Sequence, residues 1–106
     1  MVNYAEGKIY KIECLGTNKF YFGSTCEPKI SRRLAGYTGL YRKYLEGINP
    51  IKSLVFDVLE NGNYIISLVE KFPCNCKDEL KAREIYYISN NECINKKSNL
   101  DKIEMI

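Results

Sequence analysis

The feature that most limits the fold is an alternation of period two that runs through KIYKIECL, residues 8 to 15, and resumes in KFYFGS after Gly16-Thr17-Asn18. Tyr10, Ile12 and Cys14 share one side of the first segment and Lys11 and Glu13 the other, a spacing that suits a strand and not a helix. The intervening turn residues join the two segments as an antiparallel hairpin. In the second strand Phe20 and Phe22 share a face, while Tyr21 shares the opposite one with Lys19 and Gly23.

Beyond this hairpin the pattern turns helical. Pro28 is placed to open a short helix, because its missing amide hydrogen is unneeded there. Ile30, Arg33, Leu34 and Tyr37 then fall on one stripe, with Arg32 off it. A second helical piece is expected over roughly Leu40 to Glu46, capped by Thr38 before it and Gly47 after it. SLVFDVLE, Asn61-Gly62-Asn63 and YIISLVEKF read as a second hairpin, since Asn-Gly tolerates positive φ. Asn75 followed by Asp78 marks the start of a last helix, about Lys77 to Asn90, in which Glu84 falls among Leu80, Tyr87 and Ile88 on the apolar face. No repeat or linker interrupts residues 1–106, so the expectation is one α+β domain: a small antiparallel sheet flanked by helices, three-stranded at its core and with room for an added edge strand. A chain of 106 residues can bury such a core without staples.

Composition narrows the function classes. No apolar run reaches a membrane span, and MVNYAEGKIYK lacks the order of a secretory signal, so an intracellular protein, cytoplasmic or nuclear, is expected with no membrane partner. The five cysteines are odd in number and irregularly spaced, which argues for thiols over a disulfide framework. Zinc finds only a C-x-C pair, Cys74 and Cys76, and no histidine in the chain. The net charge is +3, yet Lys29, Arg32, Arg33, Arg42 and Lys43 lie between Pro28 and Leu45 with no acidic residue among them. Tyr37, Tyr41 and Tyr44 are interleaved with these charges. The segment is either a phosphate-following surface whose rings meet sugars or bases, or a solvated helix face with snorkelling side chains.

Two charges stand on stripes that should be apolar, Arg33 and Glu84. Either they form a buried salt bridge, or they border a cleft where Glu84 holds a divalent cation and Arg33 an anion. Phosphodiester hydrolysis uses those parts. Mg²⁺ needs as few as one or two protein carboxylates, and an arginine fork neutralises charge developing on a phosphate. The missing group is one that orients or deprotonates water. Two tyrosines on adjacent strands can share that work if a cation lowers their pKa.

With these residues in view the chain resembles the GIY-YIG endonuclease superfamily from Gly7 to about Asn95. The first family element, glycine, any residue, then Ile-Tyr, is matched by Gly7, Ile9 and Tyr10, and the second by Tyr21-Phe22-Gly23-Ser24-Thr25. The helix arginine corresponds to Arg33 in PKISRRLAGY, the metal-binding glutamate to Glu84 in ELKAREIYYI, and a further asparagine to Asn95. The resemblance implies a three-stranded antiparallel sheet with flanking helices and metal-dependent DNA cleavage. It implies that Tyr10 helps activate water with Tyr21 bonded into the same site, that Arg33 meets the scissile phosphate, and that Glu84 binds Mg²⁺ or Mn²⁺. Asn95 is either part of that site or a turn residue. The chain departs from the family at Lys8, an exposed strand position opening the first signature, at Phe22, and at Tyr37, where many members carry histidine.

The leading expectation is a stand-alone, divalent-metal-dependent DNA endonuclease using Tyr10, Tyr21, Arg33, Tyr37, Glu84 and Asn95, with Lys29, Arg32, Arg42, Lys43, Tyr41 and Tyr44 on DNA. The alternative keeps the fold as a DNA-binding or protein-interaction module without turnover. The chain is expected as a monomer or weak homodimer, with a protein partner as one possible source of specificity. The sharpest geometric expectation is that Tyr10, Tyr21, Arg33 and Glu84 meet in one cleft, with the Tyr21 hydroxyl turned toward Tyr10.

Overall fold

The computed structural model describes residues 2–60 and 62–95. After a 3₁₀ turn at Tyr4–Glu6 come strand β1 (Lys8–Cys14), strand β2 (Phe20–Thr25), helix α1 (Ile30–Leu45), the one-turn helix α2 (Phe56–Leu59), strand β3 (Tyr64–Lys71) and helix α3 (Lys77–Ser89). The strands form one antiparallel sheet in the order β2-β1-β3. Three strands are therefore present among the described residues, and β1 is the central one.

The alternation in β1 divides the core into two layers. Tyr10, Ile12 and Cys14 are fully buried against Tyr37 of α1 and against Val55, Phe56, Val58 and Leu59. Ile9 faces the other way and packs with Phe22 and with Leu80 of α3. Pairing in β1 and β2 sets Ile12 beside Tyr21 and Tyr10 beside Gly23 on the α1 side, and Ile9 beside Ser24 and Lys11 beside Phe22 on the α3 side. The expected faces of the first hairpin are thus observed. Phe22 stacks on Tyr87, with ring centroids 6.0 Å apart.

Two expected elements differ. The short helix and the second piece from Leu40 are one continuous helix, and Thr38 does not cap it: its hydroxyl donates back to the Ala35 carbonyl inside the helix. Gly36 and Gly39 are tolerated within it because Leu34, Tyr37, Tyr41 and Tyr44 pack its inner face against the core. Its end is as expected. Gly47 has φ +80°, the Gly47 amide bonds the Tyr44 carbonyl and the Ile48 amide bonds the Lys43 carbonyl, closing a Schellman motif.

The second hairpin is not formed. SLVFDVLE is loop and helix, and β3 pairs with β1 instead. Val55, Phe56, Val58 and Leu59 are all buried, a spacing of one, three and four that a helical turn satisfies and a strand with one wet face does not. Asn61, first of the expected turn residues, lies outside the described residues, while Gly62 has φ +79°. The α3 helix begins at Lys77 as expected, and Glu79 accepts the Asn75 amide hydrogen ahead of it at 2.7 Å. No helix among the described residues is long and apolar enough to cross a membrane.

Candidate active site

The β2 strand ends where the two helical layers approach each other. Just beyond it, a cleft of about 970 Å³ is bordered by Ser24 and Thr25, by Arg33 of α1, and by Lys77, Leu80 and Lys81 of α3.

On the α1 side the site is built around Tyr37. Its hydroxyl meets the Tyr10 hydroxyl at 2.6 Å, its ring lies edge-on to Tyr21 at 6.0 Å, and the Arg33 guanidinium rests over it at 4.7 Å. The Arg33 Nε–H donates to the Tyr10 hydroxyl at 3.3 Å. Although Arg33 as a residue is exposed, this bond and the ring beneath fix its planar end. The expectation that Tyr21 turns its hydroxyl to Tyr10 is replaced, since the direct partner of Tyr10 is Tyr37. A phenol from one helical turn beyond Arg33 reaches the strand that a neighbouring strand's Tyr21 flanks.

Gly23 makes this arrangement possible. It lies opposite Tyr10, whose ring fills the space that a Cβ at position 23 would take. The glycine of the second signature is thus a requirement of close packing.

Burial raises the Tyr10 phenol far above the usual range, and Tyr37 adds to the rise both as a neighbouring phenol and as a hydrogen-bond partner; Arg33 only partly opposes it. The same causes raise Tyr21, with the Glu84 charge adding to the rise and Arg33 again opposing it. Both tyrosines therefore stay neutral at physiological pH. Glu84 and Arg33 both act on Tyr21, so the edge strand is where the two sides of the site meet electrostatically.

On the α3 side, Ser24 donates its hydroxyl to Glu84 Oε1 at 2.6 Å. The Glu84 side chain is only 13% exposed, and the Lys81 ammonium lies 3.5 Å from each of its oxygens. Among the described residues no ion pair joins Arg33 to Glu84, so the two misplaced charges are not a buried salt bridge. Of the four residues expected to meet in one cleft only Arg33 lines it; Tyr10, Tyr21 and Glu84 do not, and Glu84 is joined to it through the bond to Ser24. Among the same residues no group of three or more His, Cys, Asp or Glu side chains is assembled for a metal ion.

Asn95 does not reach the cleft. Its amide accepts from the Phe22 N–H at 2.9 Å and donates to the Phe22 carbonyl at 2.8 Å, like a one-residue strand laid on the outer edge of β2. It positions Tyr21 and Gly23 through the backbone between them. Lys8 is likewise not the exposed residue expected, being 7% exposed. Its ammonium donates to the Glu6 and Glu27 carbonyls and so ties the N-terminal turn to the β2–α1 connection.

The basic face of α1 is partly as expected. Lys29, Arg32, Arg42 and Lys43 are exposed. Tyr41 and Tyr44 are half-buried, and both rings pack at a tilt on Phe56 with centroids 5.0 and 5.3 Å away. Three residues of the site were missed in the sequence: Ser24, Lys77 and Lys81. The lysines carry a usable signal, since Lys77, Lys81 and Glu84 are spaced by four and three and so share one helix face. The Ser24 partnership has none, as it joins residues 60 positions apart.

Comparison of the chain with family models, with curated proteins and with solved structures finds no match.

Proposed function

We propose that the protein is a divalent-metal-dependent DNA endonuclease of the GIY-YIG kind that hydrolyses a phosphodiester bond by attack of water. The observation that carries this reading is an arginine held by two tyrosines at a cleft whose strand-end serine bonds a glutamate.

The residues fit a hard cation. Mg²⁺ or Mn²⁺ takes few protein carboxylates and completes its shell with water and phosphate oxygens, and Glu84 keeps Oε2 clear of its Ser24 bond. When bound, the cation supplies Lewis-acid polarisation of the phosphoryl oxygen and stabilises the leaving oxygen. Arg33 uses Nε on Tyr10 and keeps its terminal amino groups for phosphate, a donor set fixed before substrate arrives. Tyr10 is fully buried and Tyr37 nearly so, and neither lines the cleft, so their part in the reaction is to hold Arg33 in place. Tyr10, raised rather than lowered, is not a base for the attacking water.

The test is a supercoiled-plasmid assay with Mg²⁺, with chelator, and with Glu84→Ala. Cleavage is expected with Mg²⁺ alone, and a Glu84→Ala protein that cuts at the wild-type rate overturns the reading. Two observations favour a second reading, a DNA-binding module without turnover: burial keeps Tyr10 and Tyr21 neutral, and Lys81 pairs with Glu84. That reading expects salt-sensitive DNA binding, unchanged by Glu84→Ala, and no cleavage in Mg²⁺ or Mn²⁺.

A further inference from the structure

Lys81 stands on the cleft wall formed by α3, across from Arg33 and one helical turn beyond Lys77. Its ammonium sits 3.5 Å from both oxygens of Glu84, at the loose end of ion-pair distances, and its side chain is 52% exposed against 13% for Glu84. Ser24 holds the carboxylate from the strand side by a 2.6 Å bond, whereas Lys81 reaches it on a flexible stem from the side open to solvent. A surface pair of this spacing holds weakly and exchanges readily.

Such an ammonium opposes a divalent cation approaching the same carboxylate, because it both neutralises the anion and repels the newcomer. A phosphate entering the cleft changes the balance. It offers Lys81 a second anion within the reach of its four-carbon stem, and as the ammonium moves to that anion the carboxylate is released. We infer that Lys81 is a phosphate-binding residue of the cleft that rests on Glu84 in the free protein, so that DNA and the divalent cation bind cooperatively. The inference rests on the metal-dependent nuclease reading. It adds an order to it: the free protein is a poor metal binder and becomes a good one on DNA. By linkage, the cation tightens DNA by the same factor that DNA tightens the cation.

The test titrates Mn²⁺ into the full chain and follows free Mn²⁺ by electron paramagnetic resonance, without DNA and with a cleavage-resistant phosphorothioate duplex. Glu84→Gln with the same duplex supplies the background of Mn²⁺ held by DNA, and circular dichroism checks that each variant is folded. Lys81→Met is expected to bind Mn²⁺ without DNA roughly three- to tenfold more tightly than wild type. Adding the duplex is expected to tighten Mn²⁺ on wild type and to leave Lys81→Met nearly unchanged, with Lys81→Arg restoring part of the response. If wild type shows Glu84-dependent binding and Lys81→Met binds Mn²⁺ no more tightly than wild type without DNA, the Lys81 inference fails and the nuclease reading stands. If no protein shows Glu84-dependent binding with or without DNA, the metal reading fails and the inference with it.

Discussion

At the scale of single residues, the site depends on a phenol kept neutral and a glycine kept bare. Gly23→Ala would drive a Cβ into the Tyr10 ring, so it is expected to lower stability by about 1–3 kcal/mol in urea unfolding and to displace Arg33 through its bond to Tyr10. Gly36→Ala, by contrast, introduces a Cβ that meets nothing. The raised Tyr10 and Tyr21 phenols carry a pH consequence with a definite sign. The folded protein binds these protons more tightly than the unfolded chain, whose phenols titrate near the usual value of about 10. Their contribution to stability is therefore complete below pH of about 10 and is lost as pH rises further toward the folded values. Tyrosinate absorbance is expected to show the native protein ionising fewer phenols than the denatured one above that pH. A phenol titrating with an ordinary pKa at either position contradicts the burial that explains the shift.

At the scale of elements, the edge strand β2 is held by a side chain far along the chain, and α1 is held by its rings in spite of its glycines. Asn95→Ala removes two bonds to the Phe22 peptide and is expected to cost roughly 1–3 kcal/mol and to speed hydrogen exchange at the Phe22 amide. Gly36→Ala and Gly39→Ala are expected to stabilise α1 by about 0.5–1 kcal/mol each, read as a rise in the urea midpoint, since both lie in the helix interior with open space beside them. The same residues show what the sequence could disclose. The β1–β2 hairpin was legible because the alternation is local and each partner lies within a few residues of the turn. The α3 face was legible because Leu80, Glu84, Tyr87 and Ile88 keep helical phase. The continuity of α1 was hidden by Gly36 and Gly39, although Tyr37, Tyr41 and Tyr44 continue one stripe across them. The run around Val55 to Leu59 was ambiguous because a short apolar stretch fits a strand or a buried helical turn, and only its partners in the core decide between them. Which tyrosine meets Tyr10 was beyond the sequence, because the direction of a hydroxyl is set by packing between elements and not by spacing within one.

At the scale of the whole molecule, the two helical layers give one candidate centre and one basic face. Under the proposed function the exposed Lys29, Arg32, Arg42 and Lys43 follow phosphates, so replacing any one of them by Gln is expected to reduce the slope of log affinity against log salt by up to about 0.9. A change of slope at none of the four positions places the DNA elsewhere. Under the same proposal a single centre would cut one strand per encounter, so nicked plasmid is expected to accumulate before linear plasmid, and simultaneous linearisation by dilute protein counts against one centre per molecule. The central position of β1 also bears on how the chain comes off the ribosome. β1 emerges early and can pair at once with β2, but its other edge waits for β3, and the outer edge of β2 waits for residues 94 and 95. A nascent chain therefore carries a basic helix and two unpaired strand edges while Glu84 is still untranslated. In that interval it is open to misassociation with other nascent chains, a condition that ends as β3 and Asn95 arrive.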